Sequence, residues 1–119
     1  MGASGLDHEH VVVTVSDRVA LVTLDRPEAR NSFTGRMGAE LGAAYARCDL
    51  DDDVRAVVVT GAGDAFCAGA EMNPRADTFD APERVEFTSS PVRPTAWQVR
   101  KPVIAAVNGH AIGIGLTLA

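Results

Sequence analysis

The sequence predicts an α/β fold, a spiral of strand–strand–helix units of which these 119 residues hold the first units only. Three observations predict it. Two apolar runs of strand length, "RAVVVTG" and "KPVIAAVNG", each end at a glycine, Gly61 and Gly109. Each is followed by a run of small residues that reads as a helix start. The two units share little identity, yet their architecture repeats, as in arrays built from one supersecondary unit. Finally, 119 residues are enough for one core and too few for two.

The elements follow in order. Residues 1–9 read as a mobile tail, and 10–119 as the domain. "HVVVTVS" and "VALVTLD" are rich in β-branched residues and separated by Asp17 and Arg18, which predicts an antiparallel hairpin. "RPEARNS" breaks the pattern at Pro27. Thr34 then caps a helix to about Leu50, with Met37, Leu41, Tyr45 and Cys48 spaced for one buried face. "RAVVVTG" and "KPVIAAVNG" are continuous apolar runs, expected as strands covered on both faces. Between them, 73–100 contains four prolines that exclude one long helix, although "APERVEF" and "PTAWQVR" suit short ones. Such a stretch is expected to serve as a binding loop or lid. "LTLA" stops inside an apolar helical run without a cap, which reads as the front part of something longer.

Composition narrows the function. A formal charge of −5 supplies no basic stripe for nucleic acid. The acidic run "CDLDDDVR" reads as a solvated loop after a helix. Cys48 and Cys67 show no metal-ligand spacing, which fits a reduced cytoplasmic protein without a metal site. No apolar run reaches membrane-spanning length, so no membrane partner is expected. His8 and His10 read as tail residues, and His110 as a turn residue beside a strand end.

The chemistry is expected in the glycine turns. Backbone N–H groups at a helix start lack intrahelical partners, and small residues let a ligand approach them. "FCAGAEM" and "AIGIGL" can therefore each present an N–H to an oxygen carrying negative charge. Two such groups on one oxygen make an oxyanion hole. A rival reading takes "TGAGDAF" as the phosphate turn and base, Asp64, of a ribokinase-like sugar kinase. Too little chain precedes it to build a sugar site, and the second glycine turn stays unexplained. A dinucleotide site also fits poorly, because Leu118 stands where G-x-G-x-x-G requires its third glycine.

"LVTLDRPEARNSF", "RAVVVTGAGDAFCAGAEM" and "KPVIAAVNGHAIGIGLTLA", in this order and spacing, resemble the enoyl-CoA hydratase/isomerase (crotonase) superfamily from about Val11 onward. The resemblance implies a crotonase-like spiral of ββα units. It implies that the N–H groups of Ala70 and Ile114 hold the thioester carbonyl of an acyl-CoA, with Gly113 beside them. It places Glu28, Ala29 and Arg30 along the coenzyme A, and Ala68, Gly69, Ala70, Glu71 and Met72 along the pantetheine and thioester. Glu71 is expected to order the loop rather than move protons.

Thr117 is the informative departure, because hydratases of this superfamily typically carry a glutamate there. Hydration needs a proton delivered and a proton removed at nearby carbons, hence two carboxylates. Shifting a double bond needs only one base and a held enolate. The resemblance therefore implies an enoyl-CoA double-bond isomerase of fatty-acid metabolism, its carboxylate base lying beyond Ala119. A non-catalytic acyl-CoA binder or an inactive fragment is the alternative. No cofactor is expected beyond the coenzyme A of the substrate, and the family implies a homotrimer or hexamer for the full-length protein.

Overall fold

The computed structural model describes residues 10–70, 92–113, 115, 118 and 119. The expected tail and "APERVEF" lie outside these residues. Strands β1 (Val11–Ser16) and β2 (Val19–Leu24) form the hairpin, paired antiparallel from Val11 opposite Leu24 to Ser16 opposite Val19. Asp17 and Arg18 have φ of 52° and 66°, the left-handed pair that a two-residue hairpin turn requires.

Helix α1 (Gly35–Leu50) begins where its capping residue predicts: the Thr34 side chain accepts from the Met37 N–H at 3.0 Å. Met37, Leu41, Ala44, Tyr45 and Cys48 are buried along one face. Burying Met37 and Leu41 contributes about 1.5–3 kcal/mol each, and the smaller Ala44 less. The far end of α1 is held by Lys101, whose ammonium donates to the Cys48 carbonyl at 2.6 Å and to that of Asp51. A cation there also suits the negative end of the helix dipole. Arg100 adds its backbone N–H to Asp49 Oδ1 at 2.7 Å, and that bond first, with the nearby guanidinium, holds the Asp49 carboxyl below its usual range.

Strand β3 (Ala56–Gly61) runs parallel to β2, and β5 (Val103–Ala105) parallel to β3, giving the sheet order β1-β2-β3-β5. Two short strands, β4 (Ala65–Cys67) and β6 (His110–Ala111), pair parallel in a second sheet. The two units predicted from the glycines are thus present as β3–β4 and β5–β6. Val11, Val13, Val22, Leu24, Val57 and Val59 share one core with α1, Phe33, Phe66 and Cys67.

Four expectations are corrected. Neither apolar strand is buried on both faces: Val58 is half-buried and Ile104 is 53% exposed, and among the described residues α1 packs on the opposite face, against β1 and β2. Only the first of the two strands ends at its glycine, since β5 stops at Ala105, four residues before Gly109. His110 is an exposed strand residue of β6 rather than part of a turn. His10 is no tail residue: its ring Nδ1 lies 2.9 Å from Thr34 Oγ1, and its N–H donates to Glu40 Oε1 at 2.9 Å. Glu40 also accepts from Val11 N–H and pairs with Arg36, so it ties the start of β1 to α1.

Candidate active site at two abutting glycine turns

Pairing of β4 with β6 brings the two glycine turns together. Ala65 lies opposite His110 and Cys67 opposite Ala111, and the Ile112 N–H extends the contact by donating to the Cys67 carbonyl at 3.0 Å. The turns follow at once, with Gly69 at φ 105° and Gly113 at φ 58°. Both values lie in the region that side chains avoid. A Cβ on Gly69 would sit 3.3 Å from the Ile112 carbonyl oxygen, and one on Gly113 would sit 3.9 Å from the Gly69 Cα. The two turns abut, with room for little more than a methyl group between them.

Beyond Gly113, Gly115 and Leu118 have helical backbone, and the Ala119 N–H donates to the Gly115 carbonyl at 3.2 Å. The second turn therefore opens onto a helix start, as the sequence predicts. Ile114 and Thr117 lie outside the described residues, as do Glu71 and Met72.

The "RPEARN" block is stitched to the first turn through backbone. Ala68 N–H donates to the Arg30 carbonyl at 3.1 Å, Phe33 N–H donates to the Gly69 carbonyl at 2.7 Å, and Phe33 bridges Ala70 in parallel. Among the described residues no acceptor meets the Ala70 N–H. Glu28 and Arg30 are exposed and Ala29 half-buried, on or next to the 3-10 turn Pro27–Ala29. Structure thus gathers Glu28 to Arg30, Ala68 to Ala70 and Gly113 around one place.

Two residues that sequence reasoning missed hold this place in shape. Asn31 is fully buried at φ 57°. Its Oδ1 accepts from the Arg26 N–H at 2.7 Å, and its Nδ2 donates to the carbonyls of Ala62 at 2.9 Å and Ala65 at 2.8 Å. Asn108 grips the same loop from the other side. Its Oδ1 accepts from the Gly61 N–H at 3.1 Å, and its Nδ2 donates to the carbonyls of Gly63 at 3.0 Å and Ala65 at 3.3 Å. The only signal was an asparagine before each turn, in "RN" and "NG".

This bonding takes two donors away from the kinase reading of "TGAGDAF". A phosphate cradle needs free backbone donors. Here Gly61 N–H is taken by Asn108 and Ala62 N–H by the Leu24 carbonyl at 2.8 Å. Asp64 is exposed on that loop. The cysteines offer no nucleophile either. Both are free and buried, and burial pushes each thiol up from its ordinary value, which keeps it protonated at neutral pH. Among the described residues no cluster of His, Cys, Asp or Glu is placed to hold a metal, and no helix is long and apolar enough to cross a membrane. A separate open cavity of about 420 Å³ is lined by Val92, Arg93, Pro94, Thr95, Trp97 and Gln98, the described part of the expected lid segment.

A two-sheet α/β spiral whose parallel short strands press two glycine turns together defines the class of protein. The comparisons then give the family. A family model described as enoyl-CoA hydratase/isomerase matches residues 14–119, and the chain belongs to that family, within the crotonase superfamily. It is similar to a probable enoyl-CoA hydratase/isomerase from Mycobacterium abscessus, at 55% identity and a TM-score of 0.81 over 92% of this chain and 42% of that one. It is 43% identical to a probable enoyl-CoA hydratase of Mycobacterium tuberculosis, over 94% of this chain and 44% of the relative. It is 40% identical to the 1,2-epoxyphenylacetyl-CoA isomerase of Escherichia coli, over 93% and 44%. The chain spans less than half the length of these relatives.

Proposed function

We propose that this chain carries the oxyanion-hole half of an acyl-CoA enzyme, and that the reaction is the shift of an enoyl-CoA double bond. The observation that carries this reading is the contact between the Gly69 and Gly113 turns, next to an Ala70 N–H that no described acceptor takes. Ala70 and Ile114 are the two donors proposed to hold the thioester oxygen. A base removes a proton from the carbon between the carbonyl and the double bond of a 3-enoyl-CoA. Charge then moves to the thioester oxygen, where two preorganised donors stabilise it by several kcal/mol, of order 3–4 for each donor. Return of the proton two carbons further along gives the 2-enoyl-CoA. Nothing but the coenzyme A of the substrate is needed.

Isomerisation is favoured over hydration because Thr117 cannot act as a carboxylate at neutral pH. Glu28, Ala29 and Arg30 are proposed to lie along the coenzyme A, with the Arg30 guanidinium free to meet a phosphate. The test is an isomerisation assay on the family-length protein that carries this chain. Ala70→Pro removes the N–H, and its kcat is expected to fall about 10²–10³-fold, the cost of losing one oxyanion donor. Unchanged turnover in that variant refutes the role of Ala70. Hydration of 2-enoyl-CoA faster than isomerisation refutes the choice of reaction.

A further inference from the structure

The two glycine turns meet through a strand pair too short to fix its own register. Strands β4 and β6 share two aligned positions, Ala65 opposite His110 and Cys67 opposite Ala111, so two steps along β4 match one along β6. A bulged ladder of this length specifies register weakly. A slip of one residue would carry one turn about 3.3 Å past the other. Two donors aimed at one oxygen do not tolerate that, since about 1 Å of misplacement already costs on the order of 10²-fold in rate.

What holds the register stands just upstream of the pair. Asn108 lies in the connection from β5 to β6 and reaches three backbone groups of the first unit with one amide. Its Oδ1 accepts from Gly61, the last residue of β3, and its Nδ2 donates to Gly63 and to Ala65, the first residue of β4. At the next residue, Gly109, a Cβ would run into the Asp64 carbonyl oxygen. The second unit is thus pinned to the first two residues before β6 begins. Asn31 also donates to the Ala65 carbonyl, but from the "RPEARN" block, so it fixes the first turn and not the second against it. We propose that Asn108 is the positioning residue of the oxyanion hole, setting the Gly113 turn against the Gly69 turn so that the Ala70 and Ile114 N–H groups converge on one oxygen. This role rests on the acyl-CoA reading above.

The test uses the family-length protein that carries this chain, as parent, Asn108→Ala, Asn108→Gln and Lys101→Met, with far-UV circular dichroism establishing that each is folded. The probe is butyryl-CoA labelled with ¹³C at the thioester carbonyl, which has no double bond to shift and so reads the hole whichever reaction the protein performs. In the parent its carbonyl stretch, seen by isotope-edited infrared difference spectroscopy, is expected to move to lower frequency on binding, because donors on the oxygen weaken the C=O bond. Asn108→Ala is expected to lose most of that move and to lower kcat for isomerisation about 10–10²-fold. Its KM is expected to change little, because Glu28 to Arg30 keep their contacts with the coenzyme A. Asn108→Gln, which keeps the amide on a longer arm, is expected to restore part of both. Lys101→Met, which removes the donor at the end of α1, is the more destabilising change and is expected to keep the parent's frequency and kcat. A parent that binds the probe without any move in frequency overturns the oxyanion-hole reading and this proposal with it. A parental move and kcat that survive in Asn108→Ala overturn the positioning role alone, as does an equal loss of both in Lys101→Met.

Discussion

Replacing Asn31 tests the idea that one buried amide fixes the geometry of the first turn. Asn31→Ala removes three hydrogen bonds of 2.7–2.9 Å and leaves the Arg26 N–H and the Ala62 and Ala65 carbonyls without that partner. At about 1 kcal/mol each the bonds account for roughly 3 kcal/mol. Putting alanine at φ 57° adds about 0.5–1 kcal/mol, because asparagine tolerates that region better. The expected loss is therefore about 3–4 kcal/mol, a large share of the total stability of a small domain. Asn108→Ala breaks a matching set of bonds at an exposed position, where water replaces them, and is expected to cost about 1 kcal/mol or less.

Asn31→Asp gives the sharper signature. The new carboxyl still accepts from Arg26, but as a carboxylate it opposes two carbonyl oxygens with nothing to donate. Its folded pKa is thereby raised above the unfolded value of about 3.9. A raised folded pKa gives stability that is full below the unfolded pKa and lost as pH rises through the folded one. Urea unfolding of parent and variants at acid and neutral pH should show the Asn31→Asp deficit growing with pH and the Asn31→Ala deficit staying flat. An Asn31→Ala cost no larger than that of Asn108→Ala, or a pH-independent Asn31→Asp deficit, refutes the reasoning.

Three further outcomes are expected. Gly115→Ala would place a Cβ 2.1 Å from the Cys67 carbonyl oxygen, so β4 and β6 must separate; a loss of about 1–3 kcal/mol or more should appear in thermal unfolding. Lys101→Met removes the donor to the last carbonyls of α1, and about 1.5–3 kcal/mol should be lost in urea unfolding. Burial, followed by the neighbouring Cys48, pushes the Tyr45 phenol up to about 12. Its contribution of about 2–3 kcal/mol is then full below pH 10 and lost as pH rises toward 12, which ultraviolet titration of the phenol alongside unfolding checks.

The parts of the fold that the sequence made legible are those decided by neighbours in the chain. Thr34 caps its helix through a residue three positions on, and the Asp17–Arg18 pair turns the hairpin within four residues. Covering of the strands was not legible, because an apolar run such as "AVVVTG" reads the same whether one face or both are packed. Val58 and Ile104 carry a core composition to an open face. Nor was His10, whose partners Thr34 and Glu40 stand 24 and 30 residues away.

The site divides along the same line. Glycines and alanines announced two turns, but composition alone could not separate an oxyanion cradle from a phosphate loop. Long-range bonding separates them. Gly61 and Ala62 spend their N–H groups on Asn108 and Leu24, so two donors in the part of "TGAGDAFCAGA" that most resembles a phosphate loop are already taken. A few residues on, Gly69 meets Gly113 and the Ala70 N–H finds no described acceptor. The two asparagines are what make the difference: by anchoring the first half of the segment they fix where the second half turns. It follows that damage to Asn31 should be felt beside Ala70, as faster hydrogen exchange of the Phe33 N–H that donates to the Gly69 carbonyl, before the fold itself is lost.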